Sequence, residues 1–316
     1  MLVILALLAL VMCSRYEKEW NEFKIRFGKH YDDKIVEKER FQIFKDNMAA
    51  LRLYQKTDSY AIYSHLTPFM DLTVEEFVTR KTTYEPIQRH NNKSHISDEE
   101  LVGDPIPQTY DWSTQGVVNT PRDQQTCGSC WAHAIVEGLE SSYAIQHGVL
   151  YKLSPQQLVD CDTKDDGCDG GNLTLGEDYC TKHKIVTEDS YPYANVTQKC
   201  TVNEANGVVK AKSYGLVRGG EEGMRKALVQ YGPLPIALNA NVLQFYTGGI
   251  LNPSNCNPKA INHAVLAVGY NLENNPPYWK IMNSWGAEWG ENGYFRIIAN
   301  QGKCGLDQDP TYIISE

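Results

Sequence analysis

Residues 124–132 read Gln124-Gln125-Thr126-Cys127-Gly128-Ser129-Cys130-Trp131-Ala132, and the run beyond them repeats apolar and small residues (Ala132, Ile135, Gly138, Leu139) at helical spacing with few charges. A buried helix over 131–146 is predicted, with Cys130 at its opening. Unsatisfied N–H groups and the helix dipole stabilise an anion at that place, so thiolate formation there is favoured and Cys130 is a candidate nucleophile. Such chemistry needs an imidazole to pair with the sulfur and to protonate a leaving amine, and a third group to orient the ring.

Eight histidines compete for that role. His30, His65, His90 and His95 lie in the upstream region, and His147 and His183 stand among polar residues, where solvated side chains are the plain reading. His133 lies one helical turn beyond Cys130, where packing is the ordinary role. His263 stands in Ile261-Asn262-His263-Ala264-Val265-Leu266-Ala267-Val268-Gly269, a strand otherwise made of core residues, and read from the residues alone a core histidine and a catalytic one both fit.

Farther out, the chain of 316 residues is 42% hydrophobic with a net charge of −9, so it folds, and it lacks the basic excess of a nucleic-acid binder. The apolar run Met1 to Cys13 is shorter than the ~20 residues of a membrane span and is followed by charges. Residues 1–13 are expected to be a secretory signal, with Val11 and Cys13 before the cleavage point, placing the rest in an oxidising compartment. Residues 14–103 show two amphipathic helices between Trp20 and Gln55, then a capping signal, Thr73 with Glu76, ahead of a short helix. Residues 81–107 are polar, contain Pro and lack periodicity, which predicts a linker and a boundary near Asp104. Residues 104–316 carry 15 Lys and Arg against 23 Asp and Glu. There a helical half is followed by short apolar runs at Ile236, Ala264, Tyr278 and Tyr294 that predict strands: an α+β arrangement with a cleft between the halves.

Removing Cys13 leaves eight cysteines. A zinc site on Cys127 and Cys130 lacks a second ligand pair, since Cys161 and Cys168 are too widely spaced and His263 has no neighbouring histidine. A dithiol redox pair at Cys127-Gly128-Ser129-Cys130 is a real alternative, and so is a catalytically silent, disulfide-stapled binding protein. The redox role, however, uses no distant histidine and no particular glutamine.

Taken together, Gln124 to Ala132, then Asn262-His263-Ala264, then Asn283-Ser284-Trp285-Gly286 with Trp289-Gly290 and Gly293-Tyr294, resemble the three signature blocks of the papain family of cysteine proteases. The likeness spans nearly the whole chain, with a region similar to the family's inhibitory propeptide upstream. It implies a two-domain fold, a helical left domain and a β-barrel-like right domain, preceded by a mainly helical propeptide, and a cysteine-type endopeptidase made as a zymogen and activated by acid. Cys130 would be the nucleophile, His263 its imidazole, Asn283 the orienting group and Gln124 an oxyanion donor, with Trp285 shielding the His263–Asn283 bond. Cys130 would be a thiolate opposite an imidazolium even in mildly acidic fluid.

The same resemblance implies bridges Cys127–Cys168, Cys161–Cys200 and Cys256–Cys304, leaving Cys180 as a buried filler. Gly170 and Gly171 would pair with an extended substrate beside Asn262, and Asn172, Leu173, Ala237, Ile261, Ala264 and Asp309 would line the pocket for the second residue before the scissile bond. Asp309 departs from the uncharged floor usual in the family and would admit Arg or Lys, unless its loop simply faces solvent. Gln55 resembles the cathepsin F subgroup. Gln125 stands where a Gly is usual, which implies loop strain if φ is positive there, and His133 replaces an aromatic. The segment from about Tyr84 to Ile106 would lie along the cleft as a blocked substrate. Sequons fall at Asn92, Asn172 and Asn195; Asn92 and Asn195 are the expected glycan sites, since a glycan on Asn172 would crowd the pocket. No cofactor or metal is implied. The expected partners are protein and peptide substrates, the chain's own propeptide and cystatin-type inhibitors, with no nucleic acid and no membrane span, for a monomer in lysosomes or outside the cell.

Overall fold

A computed structural model describes residues 16–86 and 105–316; the expected signal and Asn92 lie outside them. The upstream unit holds α1 (16–26), α2 (Lys34–Thr57), β1 (Ala61–Tyr63) and α3 (Val74–Lys81). The Asp33 carboxylate accepts from Ile35 N–H to start α2, and Thr73 and Glu76 close a reciprocal capping box on α3, as their spacing predicts. Aromatic faces hold the unit together: Trp20, Phe23 and Phe44 are buried with ring centroids 5.3 to 5.5 Å apart. The Asn47 amide of α2 donates to the Met70 and Leu72 carbonyls at 3.0 and 2.8 Å, fixing the turn before α3.

Downstream come β2 (Thr109–Asp111), α4 (Cys130–His147), α5 (Pro155–Cys161), α6 (Leu173–Lys182), β3 (Ala211–Leu216), α7 (Gly220–Tyr231), β4 (Leu234–Leu238), β5 (Tyr246–Leu251), β6 (His263–Asn271), β7 (Tyr278–Met282), β8 (Tyr294–Ile298) and β9 (Thr311–Ser315). Two strands match the predicted apolar runs end to end, β7 and β8. The short β2, the Gly-containing β3 and β5, and the C-terminal β9 went unread because they offer no long apolar run. The main sheet runs β1-β5-β8-β7-β6-β2, with β4 also on β6, and β3 pairs with β9 separately. The downstream half is thus barrel-like without closing: among the described residues the ladder ends at β1 and β2. The upstream unit contributes its own edge strand, since Ala61 pairs antiparallel with Gly249.

The long helix α4 packs against β6 and β9 and forms the floor between the halves. Its two buried glutamates have a physical reason. Arg122, also buried, pairs with Glu140 at 2.6 Å, lies 3.7 Å from Glu137 and reaches Glu188 of a later loop at 2.9 Å, so the loop 122–127 is tied to the helix it precedes. The bridges Cys127–Cys168, Cys161–Cys200 and Cys256–Cys304 are all present, closing spans of 41, 39 and 48 residues, each worth roughly 4 kcal/mol by chain entropy. Cys130 and Cys180 are free and buried, the latter in the apolar core of the helical half. No helix among the described residues is long and apolar enough to cross a membrane.

Candidate active site

Cys130 is the first residue of α4, one residue earlier than the periodicity places the helix, and it is fully buried. His263 opens β6, and the backbone N–H of the next residue, Ala264, reaches the Cys130 sulfur, which brings the helix start and the strand start together. The imidazole Nε2 lies 2.8 Å from Asn283 Oδ1. That oxygen also receives the Ser284 N–H at 2.9 Å, so it is an acceptor and Nε2 carries the hydrogen. His263 Nδ1 is buried without a hydrogen-bond partner. The Trp285 ring stacks on the imidazole at 4.7 Å, and both are buried, so water is kept from the His263–Asn283 bond.

Gln124 is fixed from both ends. Its Oε1 accepts from Ser284 Oγ at 2.7 Å, and its Nε2 donates to the Cys127 carbonyl at 3.0 Å, leaving the second amide hydrogen for another acceptor. Ser284 was not identified from the sequence, although it lies inside the quoted block beside Asn283. Gln125 adopts φ +54°, so the glycine usual in relatives is replaced by a residue held in the left-handed region. Asp123 Oδ1 accepts from the Gln125 N–H at 2.8 Å, and this local bond offsets part of the strain. His133 is buried on Tyr193, its Nδ1 2.9 Å from the Ser129 carbonyl, and burial pulls it down to about 4: it packs rather than titrates with Cys130.

The cleft is occupied by the upstream unit. Lys81, Thr82 and Tyr84 are buried, which corrects the linker reading for this stretch; Tyr84, the one aromatic residue in 81–107, was the signal. Thr83 lies over the thiol, with its N–H and hydroxyl near the sulfur and Oγ1 donating to Gly128 O at 2.7 Å. Tyr84 N–H donates to Asn262 O and Glu85 N–H to Gly171 O, both at 2.9 Å, and Tyr84 pairs parallel to Gly171. The two glycines are required here. A Cβ on Gly170 would meet Thr83 O at 2.5 Å, and one on Gly171 would strike the Trp131 ring at 2.5 Å.

The Tyr84 ring is buried in one cluster with Leu173, Ala237, Ile261 and Ala264, and its hydroxyl donates to Asp309 Oδ2 at 3.4 Å. Asp309 is 5% exposed, so of its two readings the buried one holds. Glu177, which the sequence reading passed over, is fully buried nearby on α6; desolvation pushes its carboxyl well up, and it accepts from Thr311 Oγ1. Asn172 is buried, its Oδ1 capping α6 at Thr174 N–H and its Nδ2 donating to Glu85 O at 2.9 Å, which leaves no room for a glycan. The Asn195 side chain is also engaged: Oδ1 accepts from the Thr126 and Cys127 N–H groups at 2.9 Å, and Nδ2 donates to Thr126 Oγ1 at 3.0 Å.

This cover changes the charge state expected of the pair. Burial pushes the Cys130 thiol up and pulls His263 down to about 4, the latter against the Asn283 hydrogen bond and with the Lys81 charge adding to it. In this covered form burial therefore disfavours both charged groups, and the thiolate and imidazolium expected from the sequence gain the water that stabilises them only when residues 81–85 leave.

Comparison with known proteins places this geometry. Residues 106–314 match the model of the papain family cysteine proteases, and residues 20–77 match the cathepsin propeptide inhibitor domain (I29). The viral cathepsin of Adoxophyes honmai nucleopolyhedrovirus is 37% identical over 91% of this chain and 88% of its own length. A cathepsin L-like proteinase of Phaedon cochleariae is 33% identical over 99% of both chains. Among solved structures, digestive procathepsin L 3 of Tenebrio molitor larval midgut superposes with a TM-score of 0.81 at 32% identity, covering 94% of this chain and 98% of that one. The chain belongs to the papain family of cysteine proteases and carries that family's inhibitory propeptide domain in front of the peptidase, as a zymogen does.

Proposed function

We propose that Cys130, His263, Asn283 and Gln124 carry out peptide hydrolysis once residues 81–85 leave the cleft. The observation behind this reading is the buried, unpartnered Nδ1 of His263, next in the chain to the residue whose N–H meets the Cys130 sulfur. With the cover gone, the thiol proton passes to Nδ1 and the thiolate attacks the substrate carbonyl carbon. The resulting oxyanion accepts from the free Gln124 amide hydrogen and the Cys130 N–H. His263 then protonates the departing amine as the C–N bond breaks. In the second half it takes a proton from water, which attacks the thioester and releases Cys130. Asn283 keeps the imidazole ring in plane throughout.

The boundaries of this reading are a signal over 1–13, a propeptide over 14–103 and the peptidase over 104–316, with release favoured by acid. The pocket that holds Tyr84 would receive the second residue before the scissile bond, and the Asp309 carboxylate there supports acceptance of Arg as well as apolar side chains. Gln55 bridges the Ala61 carbonyl and the Tyr63 N–H at 3.1 Å each, which gives the cathepsin F-like residue a role in seating β1. The expected setting is the secretory pathway, lysosomal or extracellular, for a monomer open to cystatin-type inhibitors. Asn195, whose Nδ2 keeps a second hydrogen, is the glycan acceptor of this reading.

The test uses end-blocked peptides that differ only in Leu or Arg two residues before a single scissile bond. Mature enzyme should cut both internally, Cys130→Ala neither, and Asp309→Ala should lower the Arg-to-Leu ratio of kcat/KM. Cleavage that survives Cys130→Ala contradicts the mechanism, and an unchanged ratio contradicts the pocket assignment.

A further inference from the structure

The upstream unit fills the cleft on both sides of Cys130. On one side Tyr84 takes the pocket ending in Asp309. On the other, the chain runs back through Thr83 and Thr82 to Lys81, whose amine donates to the Gln125 main-chain carbonyl and lies 3.7 Å from Asp123 Oδ1. Asp123 pairs with Trp285 in an antiparallel bridge, and Trp285 stacks on His263. The Lys81 amine therefore sits on the His263 and Trp285 side, where the leaving half of a substrate must pass if His263 protonates its amine.

The lining of this place divides in two. Phe69, whose ring lies 5.2 Å below the Lys81 amine, belongs to the upstream unit and departs with it. Asp123 and Gln125 belong to the peptidase and stay. The Lys81 side chain is only 9% exposed and the Asp123 side chain 50%, so the carboxylate faces outward while the amine is covered from above by the upstream unit. Gln125 presents its carbonyl because its backbone is in the left-handed region at φ +54°, and Asp123 holds that turn through the Gln125 N–H. A carboxylate and a carbonyl fixed by the same local turn remain after activation with their cationic partner removed. Burial lowers the Lys81 amine to about 8 while Asp123 raises it, so the amine is still charged at neutral pH and below.

We propose that Asp123 and the Gln125 carbonyl form a cation subsite on the leaving-group side of the cleft, filled by Lys81 in the precursor and by a Lys or Arg side chain of the substrate in the mature enzyme. The subsite rests on the catalytic reading above, since only that reading makes this the leaving-group side. It is distinct from the Asp309 pocket, which lies on the opposite side of Cys130.

The test uses mature enzyme and internally quenched peptides with one fixed acyl half, carrying Lys or its uncharged isostere norleucine at the first, second or third position after the scissile bond. At one of these positions Lys should be cut roughly 2- to 5-fold faster in kcat/KM, the size of a partly exposed ion pair, and the advantage should shrink as salt rises. Asp123→Asn keeps an acceptor for the Gln125 N–H and removes the charge, so in this variant the Lys-to-norleucine ratio should fall to about 1. A ratio near 1 at all three positions in the wild type, or a Lys advantage that survives Asp123→Asn, overturns the subsite alone. Failure of the mature enzyme to cut any of the peptides overturns the catalytic reading and the subsite with it.

Discussion

Replacing His263 with Gln in a Cys130→Ser precursor should remove most of the pH dependence with which the propeptide opens. Burial holds His263 down to about 4 in the closed form, against an ordinary value of 6.5 toward which opening the cleft to water moves it. A base depressed in this way leaves the closed form at full strength above pH 6.5, and that stability is lost as pH falls toward 4, because the open form takes up the proton first. For a full return to 6.5 the loss between pH 7 and 4.5 is roughly 2 to 3 kcal/mol, or ~50-fold in the opening equilibrium, and this is the ceiling of the effect. Lys81, lowered to about 8, stays charged in both forms over this range and adds no slope. His133 is buried among peptidase residues and does not sense the propeptide. Glu76, which Arg40 holds low, and Asp165, pushed to about 8 by burial and by Asp162 with Glu85 adding, keep their effects in both variants and cancel in the comparison. The readout is hydrogen exchange at the Tyr84 and Glu85 amides, corrected for intrinsic rates. Protection should fall by up to ~50-fold from pH 7 to 4.5 with His263 present and much less in His263→Gln. Equal pH dependence in the two proteins would rule out His263 as the group that senses acid.

Two further outcomes follow from the same geometry. Gln124→Ala should lower kcat of the mature enzyme on the order of 10²- to 10³-fold with little change in KM, as steady-state kinetics on one peptide would show, because the amide acts on the oxyanion and not on the bound substrate. Tyr84→Ala should weaken the grip of the propeptide by roughly 3 kcal/mol and Tyr84→Phe by less than ~1.5 kcal/mol, since most of the contact is ring burial and the 3.4 Å bond to Asp309 is long. Propeptide opening at neutral pH, measured by the same amide exchange, ranks the two.

Much of this was legible because the chemistry is local in sequence. Cys130 at a helix start, the Thr73–Glu76 capping box and the strands at Tyr278 and Tyr294 each carry their signal within a few residues. The site as a whole was not, since Cys130 and the strand start at His263 and Ala264 come together only through the packing of α4 against β6, and only the resemblance of separate blocks joined them. Residues 81–86 show the opposite limit. Their composition reads as a linker, yet Tyr84 and Lys81 are buried because the partner surface comes from Gly171, Asn262 and Gln125, far along the chain. Glu177 and Ser284 escaped notice for a related reason. A lone Glu in a helix and a Ser after Asn have plain readings until Thr311 and Gln124 are seen against them.

The proposed mechanism rests on one sulfur, that of Cys130, beneath the cover of the propeptide. Treating mature enzyme with an epoxide-type thiol reagent at mildly acidic pH, and mapping the adduct by mass spectrometry against residual peptide hydrolysis, tests it most directly. Modification should fall on Cys130 alone, with activity lost in proportion and the intact precursor labelled far more slowly. Hydrolysis that persists with Cys130 fully modified, or labelling of Cys127 in its place, would contradict it.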